Sequence, residues 1–338
     1  MWLIYCLVNF LLYKKTMTKV AMIGKIHEEG WRVLNNAGYE VFEINDFSKD
    51  NLKKQLFDVD AIGLRTTNID SDILANCHNL KIISRHGVGY NNVDLNYLNN
   101  HNQALAITGT SNAASVAEHV MTMFLYLAKN IKKSDELVKS GGFKKQGILP
   151  DFYELYRKKI FILGFGRIGQ AVAKRCLGFE TEVFVYDPFI NEEIINKKNC
   201  KKIEFHKGIE IADYITIHMP LNEKTKNLIN KDNLTKMKSE TILVNTARGG
   251  IVNEKDLYWA LKNKKIHAAG TDVFEIEPPD QDNPLFQLDN ILMSPHNAAL
   301  TLECRKRMAI EVAENIVFYI EKNNNLNKSN IVNITTLK

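Results

Sequence analysis

KIFILGFGRIGQAVAKR, residues 159–175, is the stretch on which the fold turns. A short apolar run that suits a buried strand leads into Gly164, Gly166 and Gly169, and a sequence with helical spacing follows. A GxGxxG run alone is a weak signal, but between a strand and a helix it has a physical reason. Gly164 permits the tight turn, Gly166 lets the backbone approach a pyrophosphate, and Gly169 lets the helix lie close to the sheet. The helix N-terminus offers its unbonded N–H groups to the anion, with Arg167 and Ile168 inside the same turn. Asp187 ends the next strand, 18 residues after Gly169. A carboxylate there accepts hydrogen bonds from a ribose 2′-hydroxyl and repels a 2′-phosphate. Pro188 and Phe189 follow, with no arginine to welcome that phosphate, so the expected cofactor is NAD rather than NADP.

Working outward, KIFILG, TEVFVYD, DYITIHMP, TILVNTA, HAAGTDVF and NILMSPH are strand candidates at regular intervals with helical stretches between them. Six such strands match a complete doubly wound dinucleotide-binding sheet. Upstream, KVAMIG, YEVFEIN, DAIGLRT and LKIISRHG alternate with helices in the same way, which predicts a second parallel sheet. The expected class is α/β, with two doubly wound domains. Residues 115–131, SVAEHVMTMFLYLAKNI, form the longest helix signal, with apolar residues on more than one face. Such a helix is either buried between domains or subunits, or is a thick core helix.

The length of 338 residues agrees with two domains. Hydrophobic residues at 45% and charged residues at 25% exclude a disordered, collagen-like or multi-span membrane chain. The net charge of +5 is small and scattered; it favours small anionic substrates weakly and nucleic acid hardly at all. Cys6, Cys77, Cys176, Cys200 and Cys304 form no CxxC pair and have no metal-ligand spacing, so no metal is expected. They read as reduced thiols in a cytoplasmic protein. Residues 1–16 do not fit this pattern. Their apolar run, followed by Lys14 and Lys15, is too short to span a bilayer and lacks a basic leader. A dispensable extension, a weak membrane-facing anchor and a poor signal sequence stay open, the first being preferred; stable membrane insertion is not expected.

Polar residues fall just beyond three strand ends: Arg248 after ILVNTA, Glu275 and Glu277 after HAAGTDVF, and His296 after NILMSP. Open α/β sheets place ligands there. An arginine, a carboxylate and a histidine converging at that edge would make a charged anchor plus an acid–base pair. Each alone could be a surface ion pair, a loop carboxylate or a packed histidine.

Residues 17 to about 320 resemble the D-isomer-specific 2-hydroxyacid dehydrogenase family. The resemblance is carried by GFGRIGQAVAKR with Asp187, HMPLNEKTKNLIN, LVNTARGGIVNEKDLYWAL, GTDVFEIEPP and SPHNAA. It implies a Rossmann NAD-binding domain inserted into a flavodoxin-like substrate domain. The expected boundaries are 1–16 for the extension, 17–114 and 296–325 for the substrate domain, 115–295 for the NAD domain and 326–338 for a polar tail. It implies Arg248, Glu277 and His296 as the catalytic three, with Glu277 preferred over Glu275 because it directly precedes Pro278. It also implies that Gly164, Gly166, Arg167, Ile168, Gly169, Asp187, Pro220, Thr246, Ala247 and Asp272 line the NAD site, Asp272 accepting from the nicotinamide amide. His218 and Thr225 belong to the same motif, although His218 could be a packed strand-end histidine.

In that reading Arg248 holds the substrate carboxylate or carbonyl oxygen with a charge-assisted bond. His296 takes the hydroxyl proton, and Glu277 fixes its tautomer and favours the imidazolium. The family's loop matching residues 86–89 presents N–H groups to the substrate carboxylate, which implicates Val88 and Gly89. Arg65 and Arg85 match phosphate-binding arginines of phosphoglycerate dehydrogenases, which favours 3-phosphoglycerate as substrate. Against this, Asn297-Ala298-Ala299-Leu300-Thr301 departs from the small residues and Ser-Thr usual after the histidine in those members. Reductases of hydroxypyruvate, glyoxylate or pyruvate (D-lactate type) therefore remain alternatives. An NAD-sensing corepressor is the alternative of another class. A homodimer is expected, with residues 115–131 as the contact, and no serine-binding regulatory domain is expected.

Overall fold

The computed structural model describes residues 17–149 and 151–337; the expectations for residues 1–16 lie outside them. It separates into two units, one ending at Asn112 and resumed by Leu302–Lys338, the other Ala113–Thr301. The first contains β1 (Lys19–Ile23), α1 (Glu28–Asn36), β2 (Glu40–Ile44), α2 (Lys49–Gln55), β3 (Ala61–Leu64), α3 (Ser71–Leu74), β4 (Ile82–Arg85), α4 (Leu95–Asn100) and β5 (Ala104–Ile107). Its strands are parallel in the order β2-β1-β3-β4-β5, the flavodoxin-like winding. β3 is buried at every position, as continuous apolar strands covered on both faces should be. Side-chain caps punctuate the helices: Asp70 accepts from Ile73 N at 3.0 Å and Asp94 from Tyr97 N at 3.0 Å.

The second unit opens with α5 (Ala113–Ala128) and α6 (Ile131–Lys139). The single long helix expected over 115–131 is interrupted at Asn130, which adopts a left-handed φ of 48°. Next come β6 (Lys159–Leu163), α7 (Arg167–Gly178), β7 (Glu182–Tyr186), α8 (Glu192–Asn196), β8 (Lys201–Lys202), α9 (Phe205–Ile211), β9 (Tyr214–Ile217) and α10 (Lys231–Lys236). β10 (Ile242–Asn245), α11 (Glu254–Lys262), β11 (Ala268–Thr271) and β12 (Ile291–Met293) complete it. Its parallel order is β12-β11-β10-β9-β6-β7-β8, the arrangement of a dinucleotide-binding sheet. The six strands expected from the sequence are all present. The seventh, β8, is two exposed lysines at the sheet edge and has no apolar signal to betray it.

α5 buries Val116, Val120, Met123, Phe124 and Leu127, the last four in the core of its own unit together with Ile160, Ile162 and Val172. Its outward positions include the polar Glu118 and Thr122. As a subunit contact the helix therefore offers little apolar surface. The exposed apolar side chains follow it instead: Ile131 and Val138 on α6, then Phe143, Ile148 and Phe152.

The chain returns to the first unit with α12 (Leu302–Ile320), whose Ala309, Val312, Ala313 and Ile316 share a core with Val20, Met22 and Ile82. The boundary thus falls after Thr301 rather than before His296. Residues 297–301 are tied into the second unit, since Asp272 accepts from the amides of Asn297 and Ala298 and Ser115 bonds Thr301 at 2.9 Å. The polar tail expected over 326–338 is also corrected. Ile331 and Asn333 are buried, and Ile331 bridges antiparallel to Ala106 of the edge strand β5. Asn333 accepts from Leu105 N and donates to Gln103 O, each at 2.9 Å, so a polar composition here serves an exposed sheet edge. No helix among the described residues is long and apolar enough to cross a membrane.

Candidate active site

The glycine turn after β6 has the shape its sequence demands. Gly164 has φ +94°, and a Cβ there would lie 2.5 Å from His218 O. At Gly169 a Cβ would meet Gly164 O at 2.1 Å, so only glycine lets α7 lie this close to the turn. Gly166 is the N-cap of α7 without a side-chain cap, and nothing lies within 4 Å of where its Cβ would be. The open space and the unbonded N–H groups of the first helical turn together form an anion cradle. Arg167 is exposed and Ile168 half-buried beside it.

Asp187 follows β7 and is oriented by backbone donors. Its Oδ2 accepts from Phe165 N at 2.8 Å, and its Oδ1 from Phe189 N at 2.8 Å and Ile190 N at 3.2 Å. This ties the carboxylate to the glycine turn itself. Across the sheet, two polar atoms are buried without a hydrogen-bond partner: His218 Nδ1 just past β9 and Thr246 Oγ1 just past β10. Burial pushes the His218 imidazole down to about 3, so it is neutral, and its Nε2 lies 2.9 Å from Thr216 Oγ1. Pro220 O accepts from Thr225 Oγ1 at 2.6 Å, which closes the 220–225 loop. The open cradle and the two orphaned polar atoms fit a bound dinucleotide, which would supply the missing partners.

Arg248 is presented by the turn after β10. Asn245, a polar residue ending an apolar strand, shapes that turn: its side chain accepts from Ala247 N at 3.0 Å and donates to Arg248 O at 2.9 Å. The Arg248 guanidinium donates to Ala247 O at 2.6 Å. Burial lowers its pKa, and the charge of Glu277 acts in the opposite direction. Glu277 is held by Phe274 N, which donates to its Oε1 at 3.1 Å, while its Oε2 lies 2.7 Å from His296 Nδ1. Glu275 is engaged elsewhere, its Oε1 accepting from Glu254 N at 2.9 Å at the start of α11. Phe274, Glu277, Pro278, Met293, Pro295 and His296 border a cavity of about 570 Å³.

Asp272, expected to face a nicotinamide amide, is fully buried and already accepts three protein hydrogen bonds. They come from Ser294 Oγ at 2.5 Å, Asn297 N at 2.9 Å and Ala298 N at 3.0 Å. Neither Ser294 nor the His119 beside it was legible as a site residue. Ser294 reads as the end of a strand and His119 as one polar position in an apolar helix.

In the first unit, Arg65 follows β3 and Arg85 ends the adjacent β4. Arg65 donates to Lys25 O at 3.3 Å, and the Arg85 guanidinium donates to His86 O. His86 is buried; burial first, and the charges of Arg65 and Arg85 next, lower its pKa to about 4. Val88 and Gly89 lie half-buried in the loop beyond, whose Gly87 N donates to Thr108 Oγ1 at 2.7 Å.

Residues 121–298 match the family model described as D-isomer specific 2-hydroxyacid dehydrogenase, NAD binding domain. The chain is 37% identical over 300 residues to a D-3-phosphoglycerate dehydrogenase of Archaeoglobus fulgidus, covering 88% of this chain and 56% of that protein. It is also 37% identical over 301 residues to a hydroxypyruvate reductase of Thermotoga maritima, covering 88% of this chain and 97% of the relative. Thus the chain spans a little over half the length of the first curated relatives it matches. An NAD-dependent formate dehydrogenase from Staphylococcus aureus, solved with NAD, superposes with a TM-score of 0.78. It is 31% identical, over 94% of this chain and 99% of that one.

Proposed function

The chain belongs to the D-isomer-specific 2-hydroxyacid dehydrogenase family, and on that premise we propose that it interconverts a small 2-hydroxy acid and its 2-oxo acid with NAD. The observation that carries this reading is the 2.7 Å contact of His296 Nδ1 with Glu277 Oε2, made beside an apolar cavity and within electrostatic reach of Arg248. With Nδ1–H donated to the carboxylate, Nε2 is the basic nitrogen. It accepts the hydroxyl proton during oxidation and returns it to the carbonyl oxygen during reduction. Arg248 binds the substrate carboxylate or developing carbonyl oxygen through a charge-assisted hydrogen bond. NAD, when bound, supplies the acceptor for the hydride that leaves C2. The 164–169 turn would hold its pyrophosphate and Asp187 its adenosine ribose, with Arg167, Ile168, His218, Pro220, Thr225, Thr246 and Ala247 lining the remainder. Asp187 also disfavours a 2′-phosphate, which supports NAD over NADP.

The substrate we favour is 3-phosphoglycerate, with 3-phosphohydroxypyruvate in the reverse direction. Arg65 and Arg85 around neutral His86 offer positive charge for its phosphate, and Val88 and Gly89 offer backbone N–H groups. Hydroxypyruvate, glyoxylate and pyruvate are the competing substrates, and the identity with the Thermotoga hydroxypyruvate reductase favours the first of these. Initial rates of NADH oxidation with 3-phosphohydroxypyruvate, hydroxypyruvate, glyoxylate and pyruvate test the proposal. The phosphorylated acid is expected to have the highest kcat/KM, and Arg85→Ala to raise its KM alone. Turnover of none of the four, with NADH still bound, would replace the enzyme by an NAD-sensing binding protein. A cytoplasmic homodimer belongs to the same proposal. Four buried cysteine thiols support the compartment, and exposed Ile131, Val138, Phe143 and Ile148 support self-association.

A further inference from the structure

His296 stands in a left-handed backbone conformation, φ +51°. For a residue with a Cβ this conformation is unfavourable and persists only where the surroundings over-determine it. Its own amide donates to Ser294 O at 3.1 Å. The next two amides, Asn297 N and Ala298 N, both donate to Asp272, one to each carboxylate oxygen. Asp272 therefore clamps the backbone just beyond the histidine, and the direction of the imidazole depends on where that carboxylate points.

The carboxylate is aimed in turn by a side chain. Ser294 Oγ lies 2.5 Å from Asp272 Oδ1 and 2.9 Å from His119 Nε2. A serine hydroxyl has one proton, and the carboxylate can only accept, so the proton points to Asp272. His119 must then donate its Nε2–H to the serine oxygen. His119 belongs to α5, whose apolar side chains are fixed in the core of the unit. The chain of contacts runs from that rigid helix through Ser294 and Asp272 to the backbone of His296.

We infer that Ser294 and His119 are positioning residues for His296, acting through Asp272 on the backbone of residues 296–298. The inference rests on the acid–base role proposed for His296, and its consequences are separable from that role. Without the hydroxyl, Asp272 loses one of its three donors and its fixed rotamer, so the imidazole departs from its alignment while the Gly164–Gly169 turn is untouched. Misalignment on the order of 1 Å is expected to lower kcat about 10- to 100-fold. NADH affinity should stay within about twofold, because the glycine turn after β6 lies four strands away from β12 in the sheet. Ser294 itself borders the cavity, so the KM for the 2-oxo acid is expected to change, but less than kcat.

The full chain is assayed with hydroxypyruvate and NADH, NADH dissociation is followed by fluorescence, and amide exchange of residues 297 and 298 is measured directly. Ser294→Ala is expected to lower kcat selectively and to speed exchange of both amides about tenfold, the factor for loss of one charge-assisted hydrogen bond. Ser294→Thr, which keeps the hydroxyl, is expected to restore both. His119→Gln, which keeps a donor, should act mildly, whereas His119→Phe should resemble Ser294→Ala. Unchanged exchange in Ser294→Ala, failure of threonine to rescue, or KM and NADH affinity moving in parallel with kcat overturns the positioning role. The exchange measurement decides this whether or not hydroxypyruvate is turned over. His296→Asn serves the other question: if it retains turnover, the acid–base reading fails independently. If it is inactive and Ser294→Ala is normal, only the positioning role fails.

Discussion

Gly249→Ala tests whether the Arg248 turn and the Glu277 loop work as one piece. A Cβ at Gly249 would lie 1.7 Å from Phe274 O, 2.1 Å from Phe274 C and 2.7 Å from Glu275 N. Ordinary contact begins at 3.4 Å, and every obstructing atom is backbone, so no flexible tip can swing aside. The turn or the loop must move on the order of 1.5 Å, with an overpacking cost of about 1–3 kcal/mol. Phe274 N is also the donor that holds Glu277 Oε1, so the displacement passes to the carboxylate that orients His296. A misplacement of that size is expected to reduce kcat/KM about 100-fold. At about 2–4 °C per kcal/mol for a unit of this size, Tm should fall about 2–12 °C. NADH oxidation, thermal unfolding by circular dichroism and NADH titration read the three quantities, the last expected to change less than kcat/KM because the Gly164–Gly169 turn lies two strands away from β10 in the sheet. Gly178→Ala is the control, since nothing lies within 4 Å of its Cβ and it ends α7. A Gly249→Ala enzyme with parental kcat/KM and Tm would refute the coupling of the two loops.

Other perturbations probe the remaining parts. His296→Ala should reduce kcat about 100-fold or more while NADH binding persists; steady-state kinetics with an NADH titration measure both. His86 and His218 have folded pKa values lowered to about 4 and about 3 against the usual 6.5. Below pH 6.5 the unfolded chain binds protons that the folded chain refuses, so stability falls as pH drops. The slope is up to ~1.4 kcal/mol per pH unit for each histidine. Thermal scans from about pH 7.5 to about pH 4.5 should show the decline, and His218→Asn should flatten it; an unchanged profile in that variant would exclude His218 as a source. Asn333→Ala strands the buried Leu105 N and Gln103 O and should destabilise the first unit by about 1–3 kcal/mol. Urea unfolding monitored by circular dichroism checks this, and equal midpoints would show the tail to be a spectator.

Legibility in the sequence followed physical redundancy. The two windings were readable because four strands of the first sheet and six of the second repeat the same apolar signal, and the glycine turn because three positions must all lack a side chain for separate reasons. Arg248 and His296 stood out as candidates because each is a polar residue beyond an apolar strand end, whereas Glu277 was separated from Glu275 only by the family resemblance. The four-residue β5 was not singled out although its ALAI run is apolar and buried, being too short to stand out; the other misses have one character in common. β8 has two lysines and no apolar residue; Asn333 is polar yet buried; Ser294 and His119 look like ordinary punctuation of a strand and a helix. In each case the information lies in a partner distant in sequence, such as Leu105 for Asn333 or Asp272 for Ser294. The break between α5 and α6 was hidden for the opposite reason, because continuous apolar spacing persists up to Asn130.

The second unit also divides its work along the sheet. The residues that fit a dinucleotide follow β6, β7 and β9, together with Thr246 after β10, whereas the proposed acid–base pair follows β11 and β12 and Arg248 comes from the β10 turn. β10 is therefore the shared strand. Asn245 at its end fixes both the Thr246–Ala247 stretch and the Arg248 carbonyl through two hydrogen bonds. A polar side chain ending an apolar strand costs desolvation unless both its donor and acceptor are used. Here both are used within the turn, which ties the Arg248 backbone to the strand, and the guanidinium is held back against the same turn by Ala247 O. The small net charge of +5 is then uninformative by itself, because in the proposed function it is the placement of one guanidinium, not the charge total, that would select an anionic substrate at this edge.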